Sequence, residues 1–591
     1  MKKIIYIVLI ATGILSLGAC SDFLDKTTSA YDSNGFYENE DGFNAGVTGI
    51  YAAVPYNQNW AVPAAAMQDV YSPYGLQDQE NTTISAGGGL TADQTYVNSY
   101  WAGHWKIVAR ANSVLDGART DLENASELYN RRFAEAKVLR AYAYYNLVMT
   151  FGDIPFFTTS VTPDRYNEPR TDKKVITDYL VNELQAIADS DILPWTSEQR
   201  GRVSRGAVYC LISRFCLLAG SLDFGGEGQQ YFAKAAAAAK KVMDNVQLAQ
   251  NFGDLFTKPG QAKTDVQKEI LYSFVYTKGA VRHTHKTRYG HTSRTAGGSS
   301  VRFPSNYLAM CFECKDGLRV DESPIFDPKH PSWNRDPRFR HTILMHGDTM
   351  DCTDVEKKFV LNCYDKNSWQ FPNPRRKGQW YQGNNADVQN SASSFAARGV
   401  GYLYNKYNTD FSEDISECTI EIIVMRAAEA YLSYAEAKIE MNQLDQTVYD
   451  AINAVRRRAG MPDFDAVKPE RKGNQDLMRQ IVRRERKVEL AMEGLALCDF
   501  RRWGLGDILN AGPIYGQPIA SIRYEGLTKA DMPTFKTTTR HDINDIPDYS
   551  AVADKYTARD LRRFWAPRFQ WWPIPRVDLD RNPSLSNPEG Y

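Results

Sequence analysis

A mostly α-helical fold, with paired helices as scaffold and a loop-rich region of small strands, is predicted by three observations. Apolar residues recur at helical spacing over several long stretches. Glycine and proline stop one of them, Glu127 to Thr150, at its C-terminal end. Between and after them the composition shifts to Gly, Pro, Asn and Asp with short apolar runs, the mark of long loops.

The first residues read as an export and anchoring signal. Lys2 and Lys3 give a short positive start, and Ile4 to Leu17 is apolar and uncharged. At roughly 14 residues that stretch suits a signal core and is too short for a membrane-spanning helix. Leu17-Gly18-Ala19-Cys20 then resembles a lipobox, whose thiol is diacylated and whose peptide is cut just before the cysteine. The expected organisation is a signal peptide over residues 1–19, a lipidated tether over 20–40 and one domain over 41–591. Its helical scaffold is expected mainly in 91–250 and 420–503, and its loop-rich ligand region mainly in 251–419 and 511–570.

Thr91 to Ala118 places Tyr96, Tyr100, Trp101, Trp105, Val108 and Leu115 on a helical stripe, with Trp101 and Trp105 read as core. Glu127 to Thr150 follows, carrying Val138, Tyr142 and Tyr145, and Phe151-Gly152-Asp153-Ile154-Pro155 ends it. Asp172 to Ser190, Ser204 to Ala219 and Ala-rich Gln229 to Val246 come next, then Ile420 to Met441, Leu444 to Arg458 and Asn474 to Glu493. Helices of this length in neighbouring pairs suggest a tetratricopeptide-like layout. Phe252 to Thr419 and Ala511 to Phe564 read as loops with small strands such as Ile270 to Tyr276.

Composition excludes several functions. A net charge of −1 gives no electrostatic case for nucleic acid. Clusters such as Arg131-Arg132, Arg456-Arg457-Arg458 and Arg483-Arg484 alternate with acids, as solvated or salt-bridged helix faces do. Apart from Cys20, eight scattered cysteines remain; Cys311-x-x-Cys314 has no matching second pair and reads as a local disulfide or two free thiols. His283, His285 and His291 sit among Arg282, Lys286, Arg288 and Arg294, which repel a cation, so a polar loop is expected there rather than a metal site. No cofactor is expected. Glu485, Glu489 and Glu493 stack on one helix face, where they cannot flank a glycosidic bond from two sides. Arg483, Arg484, Arg486, Arg501 and Arg502 are expected to hold this helix to the next through an ion network. No G-x-S-x-G, phosphate loop or H-E-x-x-H is present, so no enzyme is expected.

Four stretches carry a resemblance. They are Ala134-Glu135-Ala136-Lys137-Val138-Leu139-Arg140-Ala141-Tyr142 with the Phe151 to Pro155 stop; Met425 to Ala437 with Ala451 to Arg456; Arg483 to Gly494 with Asp499-Phe500-Arg501-Arg502-Trp503; and the tail Pro573-Ile574-Pro575, Asn582-Pro583, Leu585, Asn587-Pro588, Gly590-Tyr591. Together they resemble the SusD/RagB family of outer-membrane nutrient-binding lipoproteins, departing at Ser586, where a Gln is common. The resemblance implies four tetratricopeptide-like units and a SusC-like TonB-dependent transporter as partner, with this chain as its lid at the cell exterior. It also implies a glycan ligand, or a peptide in the RagB branch; a glycosidase or adhesin is the reading from another class.

Aromatic residues make up 12% of the chain. A pyranose offers a C–H face that stacks on Trp or Tyr, while Asn, Gln, Asp and Arg read its hydroxyls. The loop aromatics expected to form such a platform are Trp60, Tyr71, Tyr74, Tyr289, Trp333, Trp369, Trp380 and Tyr381, with Asp78, Gln79, Asn81 and Arg288 as polar neighbours. The resemblance draws the site from loops before the first repeat and in the middle region, without fixing individual residues.

Overall fold

The computed structural model describes residues 36–54, 57–58, 62–63, 68–77, 90–197, 199–280, 283, 302–352, 357–366, 368–372, 380–388, 400–407, 418–509, 512–535, 545–559 and 565–591. Cys20, Trp60, Asp78, Gln79, Asn81, Arg288, Tyr289, His285 and His291 lie outside the described residues.

Helix α1 (Glu40–Tyr51) opens the fold, and the sequence reading did not name it. Asn39 caps it by accepting the Gly42 N–H at 2.8 Å. Helices α2 (Thr95–Asp116) and α3 (Glu127–Phe151) form the first pair. Ser126 caps α3 by accepting the Tyr129 N–H at 3.0 Å, and Gly152, at φ +74°, ends it. Helices α4 (Lys173–Asp189) and α5 (Arg205–Ser221) form the second pair. Every residue of α5 from Gly206 to Gly220 is buried, so this helix runs through the core and its neighbours wrap it.

The third pair is made by α6 (Gly228–Asn245) and a helix that follows it only after residues 246–426. That interruption contains the short helices α7 (Asn306–Cys311) and α8 (Pro337–Thr342), and the repeat resumes with α9 (Ala427–Glu440), which packs on α6. Helices α10 (Gln446–Arg458), α11 (Gln475–Glu489) and α12 (Ala496–Arg502) complete the scaffold, and α13 (Arg576–Arg581) lies in the tail.

Six strands carry the argument: β1 (Gly75–Gln77), β2 (Ile270–Phe274), β3 (Arg302–Pro304), β4 (Ser368–Pro372), β5 (Trp380–Asn384) and β6 (Ile422–Arg426). They pair as antiparallel ribbons, β1 with β3, β4 with β5 and β2 with β6. The helix expected from Ile420 is therefore corrected: its first residues are β6, buried along its whole length, and the helix starts at Ala427. A strand buried on both faces shows no alternation, so its apolar run imitates a buried helix.

The tail closes the first pair. The buried Trp572 donates its backbone N–H to the Thr150 carbonyl at 2.8 Å. Its ring meets Tyr96 at 5.2 Å, Tyr100 at 5.6 Å, Tyr71 at 5.9 Å and Phe151 at 6.1 Å. No helix among the described residues is long and apolar enough to cross a membrane.

Candidate functional site

The register of β1 against β3 sets Gln77 opposite Arg302. Residues 78–89 leave β1 at that pair and residues 284–301 enter β3 there. Directly opposed antiparallel residues have Cα atoms about 4.5–5.5 Å apart. The two loops expected to carry Asp78, Gln79, Asn81, Arg288 and Tyr289 are thus rooted side by side, although more than two hundred residues separate them in sequence.

Beneath this root the chain is tied by hydrogen bonds. Ser305 donates its N–H to the Tyr74 carbonyl at 3.0 Å, which extends the ribbon, and Ser72 Oγ donates to the Asp69 carbonyl at 2.6 Å. The Asp69 carboxylate accepts the Ala496 N–H at 3.1 Å. Burial pushes that carboxyl up to about 7, against the lowering effect of the N–H groups it accepts.

Tyr71 and Tyr74 are corrected here. Each is 4% exposed, so neither belongs to a platform open to ligand. Tyr71 packs 4.3 Å from Tyr96, and Tyr74 lies under Lys487 at 5.8 Å. They are core residues because the helices and tail reach back over this turn.

The hairpin β4–β5 holds three of the expected aromatics. Its register sets Trp369 opposite Gly383, Tyr381 opposite Phe371 and Trp380 opposite Pro372. Asn385, buried just after β5, clamps its base by donating to the Asn362 and Asp365 carbonyls, both at 2.9 Å.

Trp333 is 60% exposed, an open indole among the described residues. Its ring lies parallel to His330, with centroids 4.0 Å apart and planes at 14°. His330 Nδ1 in turn sits 2.8 Å from Asp327 Oδ2. The buried Arg335 fastens the segment by donating to the Pro331, Ala309 and Phe312 carbonyls at 2.9, 2.6 and 2.7 Å. Ala309 belongs to α7, the helix directly after β3, so the Trp333 turn and the β1–β3 root hang on one support. Sequence reasoning missed His330, Arg335 and Asn385 because their partners are fixed by folding, not by a motif. His283 is buried, with Nε2 3.0 Å from the Ile420 carbonyl and its ring 4.5 Å from Tyr276.

The charged helix binds the scaffold to the loop-bearing insertion. Glu489 is 0% exposed and meets Arg426 at 2.6 Å, Arg338 at 3.1 Å and Arg458. Glu485 meets Arg338 at 2.9 Å and Arg456. Glu493 lies beyond the end of α11, yet a turn with Met492 at φ +62° returns it to Arg426 at 2.7 Å and Lys406 at 2.8 Å. Arg456 and Arg484 both reach Glu313, and Arg486 and Arg502 reach Asp499 at 3.0 and 2.7 Å. Arg456 and Arg458 are therefore buried partners, while Arg457 pairs with Asp463 at the surface. Arg501 instead donates to the Met149 carbonyl at 3.1 Å.

Burial alone would raise the carboxyls of Glu489 and Glu313. The guanidiniums of Arg458, Arg426 and Arg338 outweigh it and hold Glu489 far below the usual range, and Arg456 and Arg484 hold Glu313 down at about 2. Glu489 and Glu313 thus stay charged beside their arginines near neutral pH. Cys311 and Cys314 are both buried free thiols.

A sequence model of the SusD family matches residues 226–591. The chain belongs to the SusD family. A second family model, described as starch-binding associating with outer membrane, matches residues 22–217. A SusD-like protein of Bacteroides ovatus is 25% identical over 264 residues, a match covering 42% of this chain and less than half, 46%, of that relative. SusD-like protein P2 of Formosa agariphila is 23% identical over 533 residues, 85% of this chain and 91% of that one. A SusD-like carbohydrate-binding protein of Bacteroides fragilis superimposes with a TM-score of 0.72 at 24% identity, covering 93% of this chain and all of the other. The SusD fold thus places an interrupted helical repeat behind the β1–β3 root, with the ion network joining the two.

Proposed function

We propose that this SusD-family protein is a lipoprotein that captures oligo- or polysaccharide at the cell surface and delivers it to a SusC-like TonB-dependent transporter. The observation that carries the reading is the β1–β3 register, which sets Gln77, the residue before 78–89, opposite Arg302, the residue after 284–301. Asp78, Gln79, Asn81 and Arg288 then read hydroxyls beside Tyr289, and Trp333 and the β4–β5 aromatics stack sugar faces. The printed descriptions of the second family model and of the Bacteroides fragilis neighbour, starch-binding and carbohydrate-binding, support a glycan as ligand. Cys20 is the anchor in the outer membrane. The protein binds without turnover, since the clustered carboxylates of α11 are engaged by arginines.

Saccharide affinity is expected on the order of micromolar to millimolar, because desolvating hydroxyls nearly cancels their new hydrogen bonds. Single alanine variants at Trp60, Tyr289, Trp333, Trp369, Trp380 and Tyr381 should include at least two that unfold at the parent temperature and lose about 1–3 kcal/mol of binding in calorimetry. If all six keep the parent's affinity for a glycan it binds, the platform lies elsewhere. Heat from peptides and none from glycans would move the protein to the RagB-like, peptide-capturing reading.

A further inference from the structure

A second cleft, of about 650 Å³, lies between the segment after α3 and the tail, and shares no residue with the loop surface. One wall is Trp571. A Cβ on Gly152 would stand 3.0, 3.2 and 3.3 Å from three atoms of its indole, so the glycine lets the chain lie against the flat of the ring. The Trp571 carbonyl accepts the Tyr591 hydroxyl at 3.0 Å, and the next residue is the buried Trp572. The indole is therefore held in place, half-buried, at the edge of an open cleft.

The other lining groups are short of acceptors. Arg170 makes no hydrogen bond or ion pair among the described residues. Arg568 has one long hydrogen bond, 3.4 Å, to the Gly590 carbonyl. Lys173 is paired with Asp153 at 3.1 Å, and Glu589 is the other carboxylate of the lining. A guanidinium matches a planar carboxylate in two parallel hydrogen bonds.

We infer that this cleft binds a uronic acid residue of an acidic glycan, the pyranose face on Trp571 and the carboxylate on the Arg170 guanidinium. The inference rests on the glycan-capture reading and adds to it a separate, charge-selective subsite. A neutral sugar would supply the stacking face and leave the cations unmatched; a free anion would match the cations and leave the indole bare.

The test is calorimetric titration of the full chain at low salt with tetragalacturonate and with its methyl ester. The acid should bind, and the ester should bind at least about tenfold more weakly, since a charge-assisted hydrogen bond accounts for such a factor. Arg170→Ala and Arg170→Gln, both outside the buried ion network, should weaken the acid at least about tenfold, with thermal unfolding unchanged. No heat with the acid, equal binding of acid and ester, or undiminished affinity in both variants overturns the site. Trp333→Ala separates the two readings. If it abolishes acid binding while Arg170→Ala does not, this cleft is wrong and loop capture stands. If neutral glycans give no heat while the acid still requires Arg170, loop capture is wrong and the cleft stands.

Discussion

Glu489→Ala is expected to cost about 3–5 kcal/mol of folding stability, because it leaves buried guanidiniums without a counter-charge. Arg338, Arg426 and Arg458 all converge on this carboxylate, and none of their side chains is more than 4% exposed. The loss should be larger than for an exposed pair such as Arg457–Asp463, whose contribution is about 0–1 kcal/mol. Acid should reproduce it. Glu489 and Glu493 lie below their unfolded value of 4.5, and Glu313 and Glu436 are held down at about 2. A depressed carboxyl contributes stability that is complete above the unfolded value and lost as pH falls through the folded one. The melting temperature should therefore fall steeply between roughly pH 4.5 and 2. Asp69, raised to about 7, acts the other way, its contribution being lost as pH rises from 3.8 through 7. Thermal unfolding followed by circular dichroism at several pH values checks both the size of the loss and the shallower acid slope of the variant. A wild-type-like melt of Glu489→Ala would falsify the network's structural role.

Cys20→Ala is expected to leave a folded protein that is unanchored or unprocessed. Each buried methylene of an acyl chain contributes about 0.8 kcal/mol, and stable anchoring takes more than one chain. Removing the thiol removes every chain at once, and no helix among the described residues is long and apolar enough to span a membrane in its place. Metabolic labelling with palmitate and membrane fractionation check this; label retained on the alanine variant contradicts the lipoprotein reading.

The long helices were legible because their caps and stripes are local. Ser126 and Gly152 bracket α3, and the structure ends it at Phe151, one residue past the expected end. The apolar run Ile422 to Arg426 was not legible, since its partner Ile270 to Phe274 lies about 150 residues away and both strands are wholly buried. The same non-locality hid Tyr71 and Tyr74. Their surroundings read as loop, yet what covers them, Trp572 and Lys487, comes from the far end of the chain. Trp333 stood out as a loop aromatic, but its His330 backing and Arg335 fastening follow no spacing rule. The strands β1 and β3 have three residues each, too few for a period to show, so the sequence named both loops without joining them.

The most direct test of glycan capture is calorimetric titration of the full chain with a panel of soluble polysaccharides, with reducing ends assayed in the same samples. The account predicts at least one saturable isotherm with no new reducing ends. A panel that gives no heat, or one in which reducing ends rise with time, contradicts it.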